Sequence, residues 1–256
     1  MIRRYLATRH SLRAETATVL VLYALYESAR GLVAGDEQLA VDHAHAVTSL
    51  EQRLHVFLEP SVQHAAQAAP ALVGILGVAY LTLHLTVTTG LLLWLHQRHP
   101  AAFAPIRTTL LVASAIALVI FVLFPTAPPR LAGIGVTDTV SNRHIDLNEG
   151  LVSSLYNPFA AVPSMHIGYA LVVAAAIVQF GRGRVVRLAG LLYPPVVLLV
   201  IVATGNHFFF DAAAGAAVAA GAYLIARTIA APSATPRQLH AIRVTPTTRR
   251  PEKLAA

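Results

Sequence analysis

Apolar residues in this chain gather into six long blocks, at about 17–34, 69–94, 108–125, 161–180, 186–204 and 207–229, separated by more polar segments. Each block approaches the roughly 20 residues that a helix needs to cross the hydrocarbon of a bilayer. Inside the blocks the apolar positions run on without the two-residue alternation of a half-buried strand. In lipid such a segment must satisfy its own backbone hydrogen bonds, and a helix does so. The pattern predicts an all-α fold, an integral membrane six-helix bundle. Between the first two blocks lies an outer segment, residues 36–67, in which Leu39, Val41, Val47, Leu50, Leu54, Phe57 and Leu58 recur at mostly helical spacing among charged residues. That predicts interfacial helices in the first outer segment. Residues 126–160 form a second outer loop rich in Pro, Gly, Asn and Asp, and a loop this long that leads into a polar motif is expected to be functional.

Charge orients the blocks. Of the 19 basic residues, all but Arg30, Arg53, Arg130 and Arg143 fall in the N-terminal segment, the second and fourth connections, or the tail. Six spans put those segments on one side, the cytoplasmic one by the positive-inside rule. Asp36, Glu37, Asp42, Glu51, Glu59, Asp138, Asp146 and Glu149 go to the other side. The expectation is a multi-pass protein of the cell membrane with both termini cytoplasmic. Three parts follow: a cytoplasmic N-terminal segment, 1–16; a six-span membrane domain, 17–230; and a disordered cytoplasmic tail, 231–256. Arg3, Arg4, Arg9 and Arg13 before an apolar run resemble a signal peptide, but Tyr23, Tyr26, Glu27 and Arg30 inside the run and the lack of a small-x-small cleavage site predict a retained span.

Composition agrees: 56% of residues are hydrophobic and 12% charged, against about 25% charged in soluble domains. The formal charge of +7 lies beside apolar blocks, and no basic patch with interleaved aromatics appears, so nucleic acid is not an expected partner. The chain has no cysteine, which removes disulfides, thiolate catalysis and cysteine metal sites.

Polar groups at the outer edges of spans carry the candidate chemistry. His207 and Asp211 stand at i and i+4, one helical face at the outer end of the sixth span. A carboxylate that takes the proton of one imidazole nitrogen leaves the other free to attack; the same pair also suits a helix-capping histidine made tolerable by a partner. Pro163-Ser164-Met165-His166 opens the fourth span. Its free N–H groups and the Ser164 hydroxyl suit an anion, with His166 at the mouth to protonate a leaving oxygen; a serine cap followed by an interfacial histidine is the alternative. Arg130, after Pro125, Pro128 and Pro129, offers a planar donor fork to phosphate or snorkels to headgroups. The small residues Ala213, Gly215, Ala217, Ala219 and Gly221 mark a close-packing helix face.

Pro128-Pro129-Arg130, the run from Asn157 through Pro163-Ser164-Met165-His166, and Thr204-Gly205-Asn206-His207-Phe208-Phe209-Phe210-Asp211 resemble the motifs of the type 2 phosphatidic acid phosphatase superfamily. Residues 15–230 most resemble its branch of inositol phosphorylceramide synthases and bacterial relatives. The resemblance implies that His207 is the nucleophile, Asp211 its orienting partner and His166 the general acid, with Arg130 and Ser164 holding the phosphate. Departures from the broader pattern are Leu123 at the place of a lysine, Leu131 after the arginine, Met165 in place of glycine, and Val200-Ile201 where Ser-Arg is usual. Fewer cations then surround the phosphate, which favours the lipid phosphotransferase-like branch.

The expected function is a membrane-embedded lipid phosphate phosphatase or phosphotransferase. It would move a phosphoryl or phospho-headgroup through a phosphohistidine, from a lipid-linked donor to water or to an inositol- or sugar-like alcohol. The rival is a non-catalytic transporter or lipid-binding protein on the same scaffold, because intramembrane His and Asp also serve proton relays. The expected partners are a lipid-linked phosphate substrate and membrane lipids, with no cofactor. His43 and His45 lack acidic or cysteine partners at metal-site spacing, so no metal is expected. His84 deep in the second span, Arg143, and Arg30 beside Glu27 have no assigned role.

Overall fold

The computed structural model describes residues 36–139 and 157–230. The expected first span, 17–34, the N-terminal segment, the tail, Arg30 and Arg143 lie outside the described residues. Seven α-helices follow one another: α1 (Glu37–Arg53), α2 (Glu59–Gln67), α3 (Pro70–Arg98), α4 (Pro100–Leu123), α5 (Met165–Phe180), α6 (Arg184–Ala203) and α7 (Phe209–Ala230). No strand occurs among the described residues. Among the described residues four helices, α3, α4, α6 and α7, are long and apolar enough to cross a membrane. The fourth expected span is α5, apolar but only 16 residues long, about 24 Å at the helical rise.

Proline sets the break between α3 and α4. Pro100 disfavours a helical conformation at His99, ends α3 there, and opens α4 at a position whose N–H needs no partner. Residues expected to form a polar connection up to position 107 are therefore helical. α5 packs against α3, α4, α6 and α7. Along it, Ile167 and Ala170 pack in one cluster with Tyr80 and Val200, while Val173 and Ala176 pack in another with Leu91, Leu95 and Phe103. Outward-facing positions are large and apolar, among them Ile75, Val78, Val119, Leu123, Leu188, Leu191, Leu224 and Ile229. An aqueous surface does not tolerate so broad an apolar girdle, and hydrocarbon does. The molecule is a membrane protein.

The end of α3, the first turns of α4 and α6 and the α5–α6 connection, with Arg98, Arg107, Arg182, Arg184 and Arg187, lie at one end of the bundle, which α7 reaches with Arg227. At the other end α1, α2 and the loop after α4 form a cap. Asp36 opens α1, accepting from the N–H groups of Gln38 and Leu39. The face α1 turns inward is made of Ala40, Ala44, Val47, Thr48 and Glu51, and it meets Ala127, Ala132 and Phe208. Leu39, Leu50, Leu54 and Leu58, which suggested interfacial helices, are exposed. Small side chains let α1 sit close on the loop after α4 and on Phe208, and the larger ones are left outside.

His43 and His45 pin α1 to the loop. Nδ1 of His43 donates to the main-chain oxygen of Pro125 at 2.7 Å, and Nε2 of His45 to that of Ala132 at 2.8 Å. Gln63 of α2 clamps the same loop further on, exchanging hydrogen bonds with the main chain of Thr137 at 2.8 Å each way.

Candidate active site

Four chain segments converge at the capped end: the loop after α4, the start of α5, the end of α6 and the start of α7. α6 ends where Thr204 turns its hydroxyl back to the main-chain oxygen of Val200, 2.7 Å away, and Gly205 adopts φ +71°. A side chain at Gly205 would meet that strained φ and also press on Val136 and Gln63. Its main-chain oxygen accepts from the N–H of Arg130 at 3.0 Å, which brings the arginine loop against the turn before His207.

The start of α7 differs from expectation. The helix begins at Phe209, so His207 stands before it rather than on the same helical face as Asp211. The two meet because the Asp211 carboxylate folds back over the helix start. Its Oδ2 accepts from the N–H of Phe208 at 2.9 Å and lies 3.1 Å from Nδ1 of His207. This is one half of a capping box. Nδ1 also lies 3.1 Å from the main-chain oxygen of Ala161. Both neighbours present oxygens that accept, so Nδ1 carries the proton and the lone pair falls on Nε2. His207 and Asp211 are buried.

α5 begins one residue after Ser164, so Pro163 precedes the helix instead of occupying its first turn. The N–H of Ser164 donates to the main-chain oxygen of Asp211 at 2.9 Å, stitching the two helix starts together. Ser164 itself is fully buried, does not cap its own helix, and its Oγ has no hydrogen-bond partner among the described residues. A buried hydroxyl left in this state is uncommon. The approach needs Gly215, where a Cβ would overlap the main-chain oxygen of Ser164. Gly221, grouped with it on the small-residue face, meets nothing within 4 Å.

The imidazoles of His166 and His207 lie 5.4 Å apart, centroid to centroid, with planes at 63°. Tyr80 stacks on His166 at 4.7 Å, and the His84 ring meets the same histidine edge-on at 4.4 Å. Both come from α3, one turn apart. His84 was visible in the sequence as a polar group inside an apolar block; Tyr80 gave no signal beyond its i, i+4 relation to it. Arg130 arrives with its guanidinium buried and engaged: Nε donates to Oδ1 of Asn206 at 2.9 Å, and Nη1 pairs with Asp138. The structure thus brings His166, His207, Asp211 and Ser164 together, with Arg130 beside them on Asn206. Among the described residues no group of three or more His, Cys, Asp or Glu side chains is placed to share a metal ion.

This constellation sits within a recognised family region. The family model of the PAP2 superfamily matches residues 45–225. The chain belongs to the PAP2 superfamily. Membership places it among the type 2 phosphatidic acid phosphatases in the broad sense, and points to lipid phosphatase-type activity in a membrane. Neither the curated proteins nor the solved structures contain a match to the chain. The matched region of this PAP2 protein runs from within α1 to within α7, so it takes in the cap as well as the helix starts that carry the histidines.

Proposed function

We propose that the protein is a lipid phosphate phosphatase or phosphotransferase that works through a phosphohistidine. The observation that carries this reading is the 5.4 Å approach of the His166 and His207 rings, with Nδ1 of His207 taken by Asp211. Nε2 of His207 attacks phosphorus, the P–N bond forms as the bond to the departing lipid oxygen breaks, and His166 gives that oxygen a proton. Water or an alcohol then attacks the phosphohistidine and delivers its proton to His166, and the P–N bond breaks. Ser164 Oγ and the start of α5 meet the charge on the non-transferring oxygens, and Arg130 adds its guanidinium once phosphate competes with Asp138.

The arginine-bearing end is read as cytoplasmic and the capped end, with the site, as non-cytoplasmic. His84 lies about 21 Å along α3 from its start at the helical rise, and its ring meets that of His166. The outer apolar surface and the exposed leucines of α1 and of the connection to α2 favour delivery of a lipid headgroup from the side. The small number of cations favours transfer to an inositol- or sugar-like alcohol over simple hydrolysis of phosphatidic acid.

The test is radiolabelled lipid phosphate turnover by the purified protein, with acid-labile, alkali-stable label sought on His207. Parent activity lost in His207→Ala and in His166→Ala supports the reading. A parent inactive on every lipid phosphate and acceptor offered, with variants that bind lipid equally well, favours a non-catalytic lipid-binding protein instead.

A further inference from the structure

Two carboxyl groups outside the expected catalytic set close on the same helix. Oε1 of Glu59 accepts from the N–H of Phe209 at 2.9 Å, and Oε1 of Glu51 from the N–H of Phe210 at 2.6 Å. With Asp211 on the N–H of Phe208, three successive donors at the start of α7 are met by three acidic side chains. A helix start leaves such donors without intrahelical partners and concentrates positive potential, so acids are favoured there. Here two of the three come from α1 and α2, some 150 residues away in the chain.

Neither acid is a surface group: Glu51 is 2% exposed and Glu59 0%. The second oxygen of each, Oε2, is buried and meets no donor among the described residues. The two carboxyls nevertheless lie within hydrogen-bonding reach of each other. One proton serves both carboxyls, Glu51 donating and Glu59 accepting.

We propose that Glu51 and Glu59, sharing one proton, form a positioning pair that fixes the start of α7 and thereby sets the Asp211 carboxylate against His207. The inference rests on the phosphohistidine reading for its catalytic consequence, and on the hydrogen bonds above for its geometry. Burial pushes the Glu51 carboxyl from 4.5 up to about 9, the bond to Glu59 and the charges of Glu59 and Asp211 adding to the rise while the Phe210 N–H opposes it. Glu59 on α2 and Asp211 on α7 are the charged groups that act on it. Above that pH two adjoining carboxylates beside Asp211 repel, and the helix start loses its fixed seat.

The experiment uses the full chain in nanodiscs with the lipid phosphate that the parent turns over best. Glu51→Leu keeps bulk but neither accepts from Phe210 nor donates to Glu59. It should lower kcat on the order of tenfold to a hundredfold, the effect expected of displaced catalytic groups, with KM little changed. Glu51→Gln keeps an acceptor and a donor, so it should rescue kcat at neutral pH and lack the parent's fall in kcat above pH about 9. Should Glu51→Leu fail to fold, the two pH profiles decide. A parent kcat and KM in Glu51→Leu, or an alkaline fall retained in Glu51→Gln, overturns the pair.

Two readouts stand apart from turnover. Infrared difference spectra should show a protonated-carboxyl band in the parent that is lost in Glu51→Gln and titrates away near pH 9. Labelling of His207 by diethyl pyrocarbonate should change several-fold in Glu51→Leu. An inactive parent defeats the phosphohistidine reading while the band and the labelling still decide the pair; their absence defeats the pair whatever the activity.

Discussion

Nδ1 of His207 is shared between Oδ2 of Asp211 and the main-chain oxygen of Ala161, each 3.1 Å away. Asp211 also accepts from the N–H of Phe208 through that same oxygen. One carboxylate oxygen therefore holds the helix start and the tautomer of the neighbouring imidazole at once. Asp211→Asn keeps the shape but can present an amide N–H to Nδ1, which moves the imidazole proton to Nε2. Turnover should fall by about 10²–10⁴-fold, the range for a wrongly held histidine tautomer, with KM little changed. Steady-state kinetics at saturating lipid decide it: near-parent kcat would mean that Asp211 serves only as a cap.

Arg130 shows a second competition. Its guanidinium is held by Asn206 and Asp138, and Asp138 is a carboxylate acting on a fork suited to phosphate. Asp138→Asn removes the negative competitor while keeping a polar side chain of the same size. Inorganic vanadate or phosphate should then inhibit at lower concentration. Hydrogen bonds to charged groups contribute about 1.5–3 kcal/mol, so the shift should be tenfold or more. An unchanged inhibition constant would show that Asp138 does not compete with the anion.

Much of the candidate site was legible because its residues sit where apolar blocks begin or end. His166, His207 and Asp211 are polar groups at span edges, and cost alone marks them out. Glu51 and Glu59 were not legible. In the sequence they tally as outer acids that balance the arginines, and nothing local shows that their partners are N–H groups of Phe209 and Phe210. In α1 the face that packs inward is built from Ala40, Ala44 and Val47, of which only Val47 stood out by hydropathy, while Leu39 and Leu50 of the same pattern are exposed. The register of α7 was two residues off for a related reason. His207 and Asp211 at i and i+4 imply a shared helical face, yet the contact arises from a side chain folding back over a helix start. Span boundaries followed composition, whereas the α3–α4 break followed Pro100.

The small-residue face of α7 divides on inspection, and the division is testable. Gly215 faces the main-chain oxygen of Ser164 across the crossing with α5, and its own oxygen faces Gly168. Gly215→Ala should destabilise the bundle by about 1–3 kcal/mol through overpacking and push Ser164 from the site, so activity falls with stability. Gly221→Ala meets open space and should be neutral or gain up to about 1 kcal/mol from helix propensity. Unfolding in mixed micelles separates the two. Equal effects would mean that the close crossing of α5 and α7 does not govern stability.

Glu51 also makes stability depend on pH, with a sign fixed by its raised pKa. Below 4.5 the folded and unfolded chains both hold the proton; between 4.5 and about 9 the folded chain keeps it and the unfolded chain has lost it. The unfolded state then binds fewer protons, so the free energy of unfolding falls as pH rises through that window. The contribution is fully present below 4.5 and gone above about 9. Glu51→Gln has no such proton, and the other titrating groups are common to both proteins. The difference in unfolding midpoint, parent minus Glu51→Gln, should decline steadily across the window and level off beyond it. A difference independent of pH would mean that the folded chain gives up the Glu51 proton at the same pH as the unfolded one, and the buried pair would not be sharing it.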